Sequence, residues 1–427
     1  MDAIICISGI VLHKNPEYIN FFKKRGIKIL VLDTPSYILS KIYKGYNEAE
    51  NHFSYIEECF IFENKYDSFN KCIEWGNLYN IVAVINFKDD FVKEADIIKN
   101  LVKCVGPGTL SSVICSNKYL QRSMLTEFSP ASQRVVLSEY IEIINDSHFP
   151  FVVKPIVGSS SKNVFLIRNE KDLSKIPRTM VSTEVLIEEY VEGDEFSCES
   201  IVFNGEIIFN GITGKITNEN ETNFFAEVGH TVPAQNISEN NKRQLLNVNK
   251  AIVEKIEFEY GIAHAEYKID SKGKVKLMEI ACRPPGDAII DLYSRSYSVD
   301  FPSMILKCLS RDYSIVNDLK NLSAKYVSHQ RYLSHPMGIL KTINTSLKQV
   351  WFYEIDREMY KNYEFSKLSI CEPYLYVYRQ RGDILTNIRN SYDRSAAIVF
   401  TCQRYETIEE IVENLEGKVT IEVMTEK

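Results

Sequence analysis

The stretch that decides the fold runs from Gly261 to Arg283 and reads GIAHAEYKIDSKGKVKLMEIACR. Two β-rich runs, Gly261–Asp270 and Lys274–Cys282, flank a tight turn around residues 271–273. Runs of this length on either side of a glycine-containing turn predict two antiparallel strands joined as a β-hairpin.

Charged side chains are expected to meet across this hairpin, because alternate residues of a strand share a face. One face of the first strand carries His264, Glu266 and Lys268, and one face of the second carries Leu277, Glu279, Ala281 and Arg283. If the turn centres between Lys272 and Gly273, Glu266 lies directly opposite Glu279. Like charges in facing positions repel each other, so we expect a positive group between them.

Two interpretations of this pair stay open at this point. Carboxylate oxygens are the ligands that Mg²⁺ prefers, and Arg283 is suited to an anionic group beside the ion. In the other interpretation the hairpin is solvated and frayed, and its charges never meet. The pattern alone favours neither, because the register is assumed.

A second signal is a lysine inside an apolar strand. The run Phe151–Pro155 contains Lys154, whose burial is costly without a partner unless its ammonium group extends to the surface. The following turn, Gly158–Asn163, reads GSSSKN. Such a turn can offer backbone N–H groups to phosphate oxygens, although it lacks the G-x-x-x-x-G-K-[ST] pattern of a P-loop. An ordinary turn explains it equally well.

Two weaker signals lie elsewhere. The stretch Glu188–Glu195 reads EEYVEGDE, which is either a solvated strand end or a segment whose backbone reads a base edge while a carboxylate holds a ribose hydroxyl. Lys118 lies on a helix predicted from Ser111 to about Thr126, four residues before Arg122. Exposed helix cations are common, so this lysine indicates little by itself.

The composition excludes several classes of protein. The 427 residues are 45% hydrophobic and 25% charged, which is typical of a globular chain. The formal net charge of −7 argues against a nucleic-acid-binding protein, whose domains are usually basic. No apolar run approaches the ~18 residues that cross a membrane. Ten cysteines without a C-x-x-C pair argue against a zinc site and indicate reduced thiols in the cytoplasm.

The order of the predicted elements suggests three parts. Strands and helices alternate over residues 1–105, which predicts a doubly wound α/β unit with a parallel sheet. Its β-rich runs are Ile4–Ile7, Ile27–Leu32, Glu58–Phe62 and Ile81–Asn86. Gly106-Pro107-Gly108 marks a boundary, and Asn204-Gly205 is predicted at the tip of a second hairpin. The last residues, 312–427, read as a mixed α+β segment.

Taken in order, these motifs resemble the ATP-grasp superfamily of carboxylate–amine ligases, in detail over residues 106–310. The ATP-binding residues that the resemblance implies are Lys118 and Lys154 on the phosphates, Gly158, Ser159, Ser160 and Ser161 in the triphosphate loop, Glu188, Glu189, Tyr190 and Val191 at the adenine hinge, and Glu195 on the ribose. Glu266 and Glu279 resemble the paired metal ligands, and Arg283 resembles the arginine that stabilises the transferring phosphoryl group.

The resemblance also implies a fold and its division. It predicts an α/β protein of the ATP-grasp fold, with a pre-ATP-grasp domain at 1–105, an ATP-grasp domain at 106–311 whose lid spans about 125–187, and a C-terminal α+β domain at 312–427. Homodimers are common in the superfamily, and no nucleic-acid or membrane partner is expected.

The function implied is ATP-dependent formation of an amide between small molecules, such as amino acids, through an acyl phosphate, with Mg²⁺ or Mn²⁺ as the metal. The stretches Phe225–Pro233 and Arg283–Asp287 look most like bacterial L-amino acid ligases. Within them, His230 is expected to position a substrate or move a proton, or to be structural. Asp287 is expected to bind the amine, or to cap the helix that follows.

One residue departs from the superfamily pattern. Where Glu-x-Asn-x-Arg is frequent on the last strand, this chain has Glu279-Ile280-Ala281-Cys282-Arg283. Alanine cannot ligate a second metal. A non-catalytic ATP-binding protein therefore stays an alternative, as does a ligase resembling biotin carboxylase or the purine-pathway enzymes.

Overall fold

The computed structural model describes residues 1–9, 12, 16–35, 56–145, 148–352, 372–404 and 406–424. The first part is a four-stranded sheet in the order β3-β2-β1-β4, and all of its neighbouring strands are parallel, as predicted. Its strands are β1 (Asp2–Ile7), β2 (Lys28–Asp33), β3 (Ile56–Ile61) and β4 (Asn80–Asn86), and the helices around them are α1 (Pro16–Arg25), α2 (Lys65–Leu78) and α3 (Val92–Leu101).

Both faces of this sheet are covered, which is why β1, β2 and β4 are nearly continuous runs of apolar residues. Alternate residues of β1 pack into two different hydrophobic clusters, Ile4 into one and Ile5 into the other. Ile4 and Ile5 are both almost completely buried. The first part of the chain is therefore anchored to the rest of the molecule through one face of its sheet.

The helix predicted from Ser111 to Thr126 is wrong as a single helix. The structure has two helices here, α4 (Thr109–Cys115) and α5 (Lys118–Met124). Between them Asn117 is extended, and its side-chain oxygen accepts a hydrogen bond from the backbone N–H of Leu120 at 3.1 Å. Asparagine favours this capping position over a helix interior. Lys118 thus becomes the first residue of a new helix.

Residues 132–189 form a separate four-stranded antiparallel sheet in the order β5-β8-β6-β7. It contains β5 (Ser132–Val136), β6 (Phe151–Pro155), β7 (Phe165–Ile167) and β8 (Glu184–Glu189), with helices α6 (Leu137–Ile143) and α7 (Arg178–Val181). Phe151 and Val153 lie in its hydrophobic core. Because side chains alternate along a strand, Val152 and Lys154 face the opposite way.

The largest sheet has nine strands in the order β13-β12-β9-β10-β11-β14-β19-β17-β16. Its members are β9 (Asp194–Phe203), β10 (Glu206–Thr217), β11 (Glu227–Val232), β12 (Gly261–Ile269), β13 (Val275–Ala281), β14 (Val327–Tyr332), β16 (Gln349–Phe352), β17 (Tyr374–Val377) and β19 (Ala396–Cys402). A domain boundary was predicted at residue 311, but four strands beyond it, β14, β16, β17 and β19, belong to this same sheet. The predicted domain bounds stay a prediction.

The predicted hairpin tip at Asn204-Gly205 is confirmed. Phe203 pairs with Glu206, and Asn204 and Gly205 have φ angles of 54° and 79°. Both central residues of such a two-residue turn need positive φ, which asparagine and glycine tolerate best.

A third small sheet has the order β18-β15-β20, formed by β18 (Ile384–Leu385), β15 (Gly338–Thr345) and β20 (Val419–Met424). The remaining helices are α8 (Glu239–Lys255), α9 (Ile289–Tyr297), α10 (Phe301–Leu309), α11 (Ser314–Leu319) and α12 (Ile408–Glu416). Tyr293 and Phe301 share one hydrophobic cluster with Ile4 of the first sheet and Ile262 of the largest. Helices α9 and α10 therefore join the two sheets.

Two further observations concern the described residues. None of their helices is both long and apolar enough to cross a membrane. No disulfide joins any two of the nine cysteines among them.

Candidate active site

The facing glutamates are confirmed: Glu266 of β12 pairs with Glu279 of β13. Nearer the turn, however, Ile269 pairs with Val275, so the hairpin centres on Lys272 and not between Lys272 and Gly273. One extra residue in β13, Met278, shifts the register before the glutamates are reached. This β-bulge brings the two carboxylates opposite each other.

The bulge also corrects one part of the prediction. Leu277 does not share the face of Glu279, because the extra residue reverses the alternation of side chains. Leu277 is buried in the core with Tyr267 and Ile280, whereas Glu279 lines an open cleft. Beyond the bulge, Ala281 and Arg283 line the cleft as predicted.

Lysines supply the positive charge expected near the glutamates. Lys118 Nζ lies 2.6 Å from Glu279 Oε1 and donates a hydrogen bond to the carbonyl oxygen of Gly158 at 2.7 Å. Lys215 Nζ lies 2.6 Å from Glu266 Oε1 and 3.4 Å from Glu195 Oε1, and it also contacts Glu227. The hairpin is therefore neither solvated nor frayed at this point.

These contacts shift the pKa values of both partners. Burial by itself raises the pKa of Glu266, but Lys215 and His264 hold it well below its usual range. Burial lowers the pKa of Lys215, and the three surrounding glutamates more than offset this, raising it well above its usual range. Both groups are thus charged at neutral pH.

The smaller antiparallel sheet forms the opposite wall of the cleft. Lys154 Nζ lies 2.6 Å from Glu188 Oε2, and Arg122 Nε lies 2.6 Å from Glu188 Oε1. Burial and the neighbouring Arg122 lower the pKa of Lys154 to about 8, and Glu188 offsets part of that shift. The lysine has the partner that its buried position requires.

The predicted phosphate loop and hinge line the same cleft. Gly158, Ser159, Ser160 and Ser161 line it, as do Glu188, Glu189, Tyr190, Val191 and Glu195. Ser160 and Ser161 have φ angles of 61° and 55°, the left-handed conformation in which successive backbone N–H groups form an anion-binding concavity. The Tyr190 ring lies 5.4 Å from Lys268 Nζ.

Arg283 reaches across to the first part of the chain. Its Nε lies 2.5 Å from Asp89 Oδ1, and a second guanidinium nitrogen lies 2.5 Å from Asp89 Oδ2. Asp89 follows β4 at the carboxyl edge of the parallel sheet, so that sheet contributes a residue to the cleft.

Of the two predicted substrate residues, Asp287 lines the end of the cleft near the C-terminal part, whereas His230 is completely buried and is not part of the lining. His230 Nε2 lies 3.0 Å from Asp287 Oδ2. Arg394 binds both oxygens of Asp287, at 2.8 and 3.1 Å. Burial raises the pKa of Asp287, but Arg394 and His230 hold it well below its usual range. The helix-cap alternative is wrong, because α9 begins after Ala288 and Asp287 has a φ of 55°.

Several charged residues of the site were not predicted, namely Asp89, Arg122, Glu199, Lys215, Glu227 and Arg394. Lys215 carried a usable signal, since a lysine on a largely apolar strand is unusual for the same reason as Lys154. Arg394 carried none, because its partner Asp287 is 107 residues away in the chain.

Comparison with known proteins matches residues 147–291 to the model of the ATP-grasp domain. A D-alanine–D-alanine ligase of Clostridium beijerinckii is 29% identical over 115 residues, covering 24% of this chain and 36% of the ligase. The chain thus spans about a third of that relative's length. An L-arginine-specific L-amino acid ligase of Bacillus subtilis is 21% identical over 228 residues, covering 51% of this chain and 54% of that ligase.

Among solved structures, the L-amino acid ligase of Bacillus licheniformis superposes with a TM-score of 0.76 at 16% identity, over 100% of this chain and 99% of that one. The phosphoribosylglycinamide synthetase of Anaerococcus prevotii superposes with a TM-score of 0.67 at 14% identity, over 99% of this chain and 100% of that one. At these identities the superpositions establish the fold.

Proposed function

We propose that this chain, which matches the ATP-grasp domain over residues 147–291 and shares the fold of an L-amino acid ligase, is an ATP-dependent carboxylate–amine ligase. A substrate carboxylate oxygen attacks the γ-phosphorus of ATP, and the bond to the β-phosphate oxygen breaks to release ADP. The nitrogen of an amine then attacks the carbonyl carbon of the acyl phosphate, and phosphate leaves. The observation that carries the proposal is the convergence of Glu266, Glu279, Lys118, Lys154 and Arg283 on one cleft.

In this proposal each part of ATP has a place in the cleft. The backbone of the hinge, from Glu188 to Val191, would bind the adenine edge, and Glu195 would bind the ribose hydroxyls. Lys118, Lys154 and the loop Gly158–Ser161 would neutralise the phosphates. Glu188 has a further task in this arrangement, since its carboxylate holds Lys154 and Arg122.

The residues present fit one hard divalent cation. Glu266 and Glu279 offer carboxylate oxygens from facing positions, and their side chains are 25% and 29% exposed towards the cleft. Oxygen donors are the ligands that Mg²⁺ and Mn²⁺ accept. A bound ion would neutralise phosphate charge. Ala281 offers no side-chain ligand, so these two glutamates form the whole proposed protein donor set.

Catalysis in this proposal is positioning and charge neutralisation, because the reaction needs no nucleophile from the enzyme. Arg283 would stabilise charge on the transferring phosphoryl group, and Asp89 fixes the plane of its guanidinium. The smaller sheet, acting as the lid, would keep water from the acyl phosphate. Amino acids are the proposed substrates, supported by the similarity to amino acid ligases, with Asp287 in the cleft wall near them and His230 buried against Asp287.

The test is phosphate release on mixing the protein with Mg-ATP and pairs of amino acids, with mass spectrometry of the products. We expect release only when a carboxylate and an amine are both present, and a new amide product. Nucleotide binding without turnover would instead favour the non-catalytic alternative. Turnover that requires bicarbonate would favour a ligase of the biotin-carboxylase or purine type.

Replacing one proposed metal ligand tests whether that carboxylate is needed for the reaction rate. We expect Glu279→Gln to lower the rate on the order of 10²-fold or more, because the proposed ion loses one of its charged ligands. Glu239→Gln is the matched control, since the Glu239 side chain is 85% exposed on α8. Equal rates for the two variants would contradict the assignment of Glu279.

A further inference from the structure

A buried carboxylate lies behind the cleft, on β9, an interior strand of the largest sheet. Glu199 is completely buried, and four donors satisfy it. Ser197 Oγ and His264 Nδ1 lie 2.7 and 2.8 Å from Oε1. Thr213 Oγ1 and Tyr293 OH lie 2.6 and 2.8 Å from Oε2. An isolated buried carboxylate would be very costly, so this set of donors from four elements is what keeps Glu199 ionised.

A glycine makes room for the contact between Tyr293 and Glu199. A Cβ atom on Gly211 would lie 2.4 Å from the hydroxyl oxygen of Tyr293 and 2.2 Å from its ring. Gly211 faces Glu199 across the β9–β10 pair. The ring of Tyr293 crosses β10 where a side chain is missing, and its hydroxyl group reaches the carboxylate.

His264 connects this buried carboxylate to the cleft. Its Nδ1 is held by Glu199, and its Nε2 lies 3.3 Å from Glu266 Oε1. His264 and Glu266 lie two residues apart on β12 and share a face, so the ring is beside the carboxylate. Because Glu199 fixes the ring at one nitrogen, the position of the other nitrogen is fixed as well.

We propose that Glu199 and His264 are positioning residues that hold the Glu266 carboxylate in the orientation needed to bind a divalent cation. The inference rests on the proposed function, since Glu266 is a metal ligand only there. It adds the reason for three polar side chains, those of Ser197, Thr213 and Tyr293, which converge on Glu199 and are not part of the cleft lining.

The experiment measures the dissociation constant of Mn²⁺ by electron paramagnetic resonance, in the presence of a non-hydrolysable ATP analogue. His264→Asn keeps an amide near Nδ1 and loses the contact with Glu266. We expect it to weaken Mn²⁺ binding about 10-fold, which is typical when a group that orients a metal ligand is removed. Affinity for the analogue without metal should stay within about twofold, since His264 holds only the metal ligand.

A second variant distinguishes positioning from a loss of stability. Tyr293→Phe removes one donor of Glu199 and should weaken Mn²⁺ binding by about threefold, a partial loss of the same support. In the His264→Asn background it should cause no further loss, because its effect passes through the imidazole. His329→Asn is the matched control, since His329 is also buried, and its Nδ1 lies 2.8 Å from Thr231 Oγ1. His329 belongs to β14, which β11 separates from β10.

Each outcome decides something. If the wild-type protein with the analogue binds no Mn²⁺, the proposed function and this inference both fail. If it binds Mn²⁺ and folded His264→Asn binds it equally well, or no more weakly than His329→Asn does, only this inference fails. If His264→Asn does not fold, His264→Gln gives the same decision, because it loses the contact with Glu199.

Discussion

Lys154 is a residue of the site whose charge depends on pH just above neutrality. Burial and the Arg122 charge lower its pKa to about 8, so the ammonium group is charged below pH 8 and loses its proton as the pH rises. A phosphate group beside it would favour the charged form and raise this pKa. Binding would then take up a proton above pH 8, and affinity would fall as the pH rises.

We therefore expect the dissociation constant of a non-hydrolysable ATP analogue to increase between pH 8 and 9.5, by about 10-fold or less per pH unit. Isothermal titration calorimetry in two buffers of different ionisation enthalpy should detect the proton uptake. Lys154→Arg keeps its charge over this range, so its affinity should change much less. A wild-type affinity that does not change with pH would contradict the role of Lys154.

At this scale, sequence reasoning located most of the candidate site. Every residue proposed for ATP and metal binding lines one cleft, because strand alternation and motif order are local properties of the chain. The partners of those residues were not predictable in the same way. Asp89 contacts Arg283 from 194 positions away, and only the packing of two sheets brings them together.

At the scale of elements, the hairpin shows how much one residue decides. A shift of one position moves a whole set of side chains to the other face of a strand. The sequence indicated both strands and the turn, but nothing in it marked Met278 as the extra residue. The helix break at Asn117 was also not marked clearly by the sequence. Asparagine is preferred as a helix cap, but it occurs within helices too.

Gly193 joins the hinge to β9, and it tests how tightly these elements fit. A Cβ atom there would lie 2.1 Å from the carbonyl oxygen of Ile269, so backbone would have to move. We expect Gly193→Ala to lower the free energy of unfolding by about 3 kcal/mol, from overpacking and backbone strain together. It should also weaken nucleotide binding, because Glu195 is two residues away.

Gly26→Ala is the matched control for backbone strain alone. Gly26 also has a positive φ, of 65°, but a Cβ atom would meet nothing within 4 Å. It should cost about 1 kcal/mol and leave nucleotide binding unchanged. Urea unfolding curves and calorimetry give both quantities, and similar values for the two variants would show that the contact with Ile269 is unimportant.

At the scale of the whole molecule, the C-terminal part closes one end of the cleft. The backbone N–H of Ser391 donates to the carbonyl oxygen of Ser160 in the phosphate loop, at 3.2 Å. Asn218 Nδ2 donates to the carbonyl oxygen of Ile388 at 2.8 Å. The match to the ATP-grasp domain ends at residue 291, so Ile388 and Ser391 lie outside the motifs that identified the fold.

The ion pair of Arg394 with Asp287 should therefore stabilise the assembled molecule. Both side chains are mostly buried, at 6% and 14% exposure. Removing one partner leaves the other charge buried, and we expect Arg394→Met to cost about 3 kcal/mol in the free energy of unfolding. The double variant with Asp287→Asn should cost clearly less than the sum of the single variants. Additive losses in urea unfolding would contradict this coupling.

The pair that Lys118 forms with Glu279 has a consequence for how the proposed cofactors would enter. A cation that arrives alone competes with the Lys118 ammonium group for Glu279, and a triphosphate that arrives alone competes with the Glu279 carboxylate for Lys118. When both arrive, each displaced group gains a new counter-charge. Their affinities should consequently be heterotropically linked, with each ligand tightening the other by the same factor.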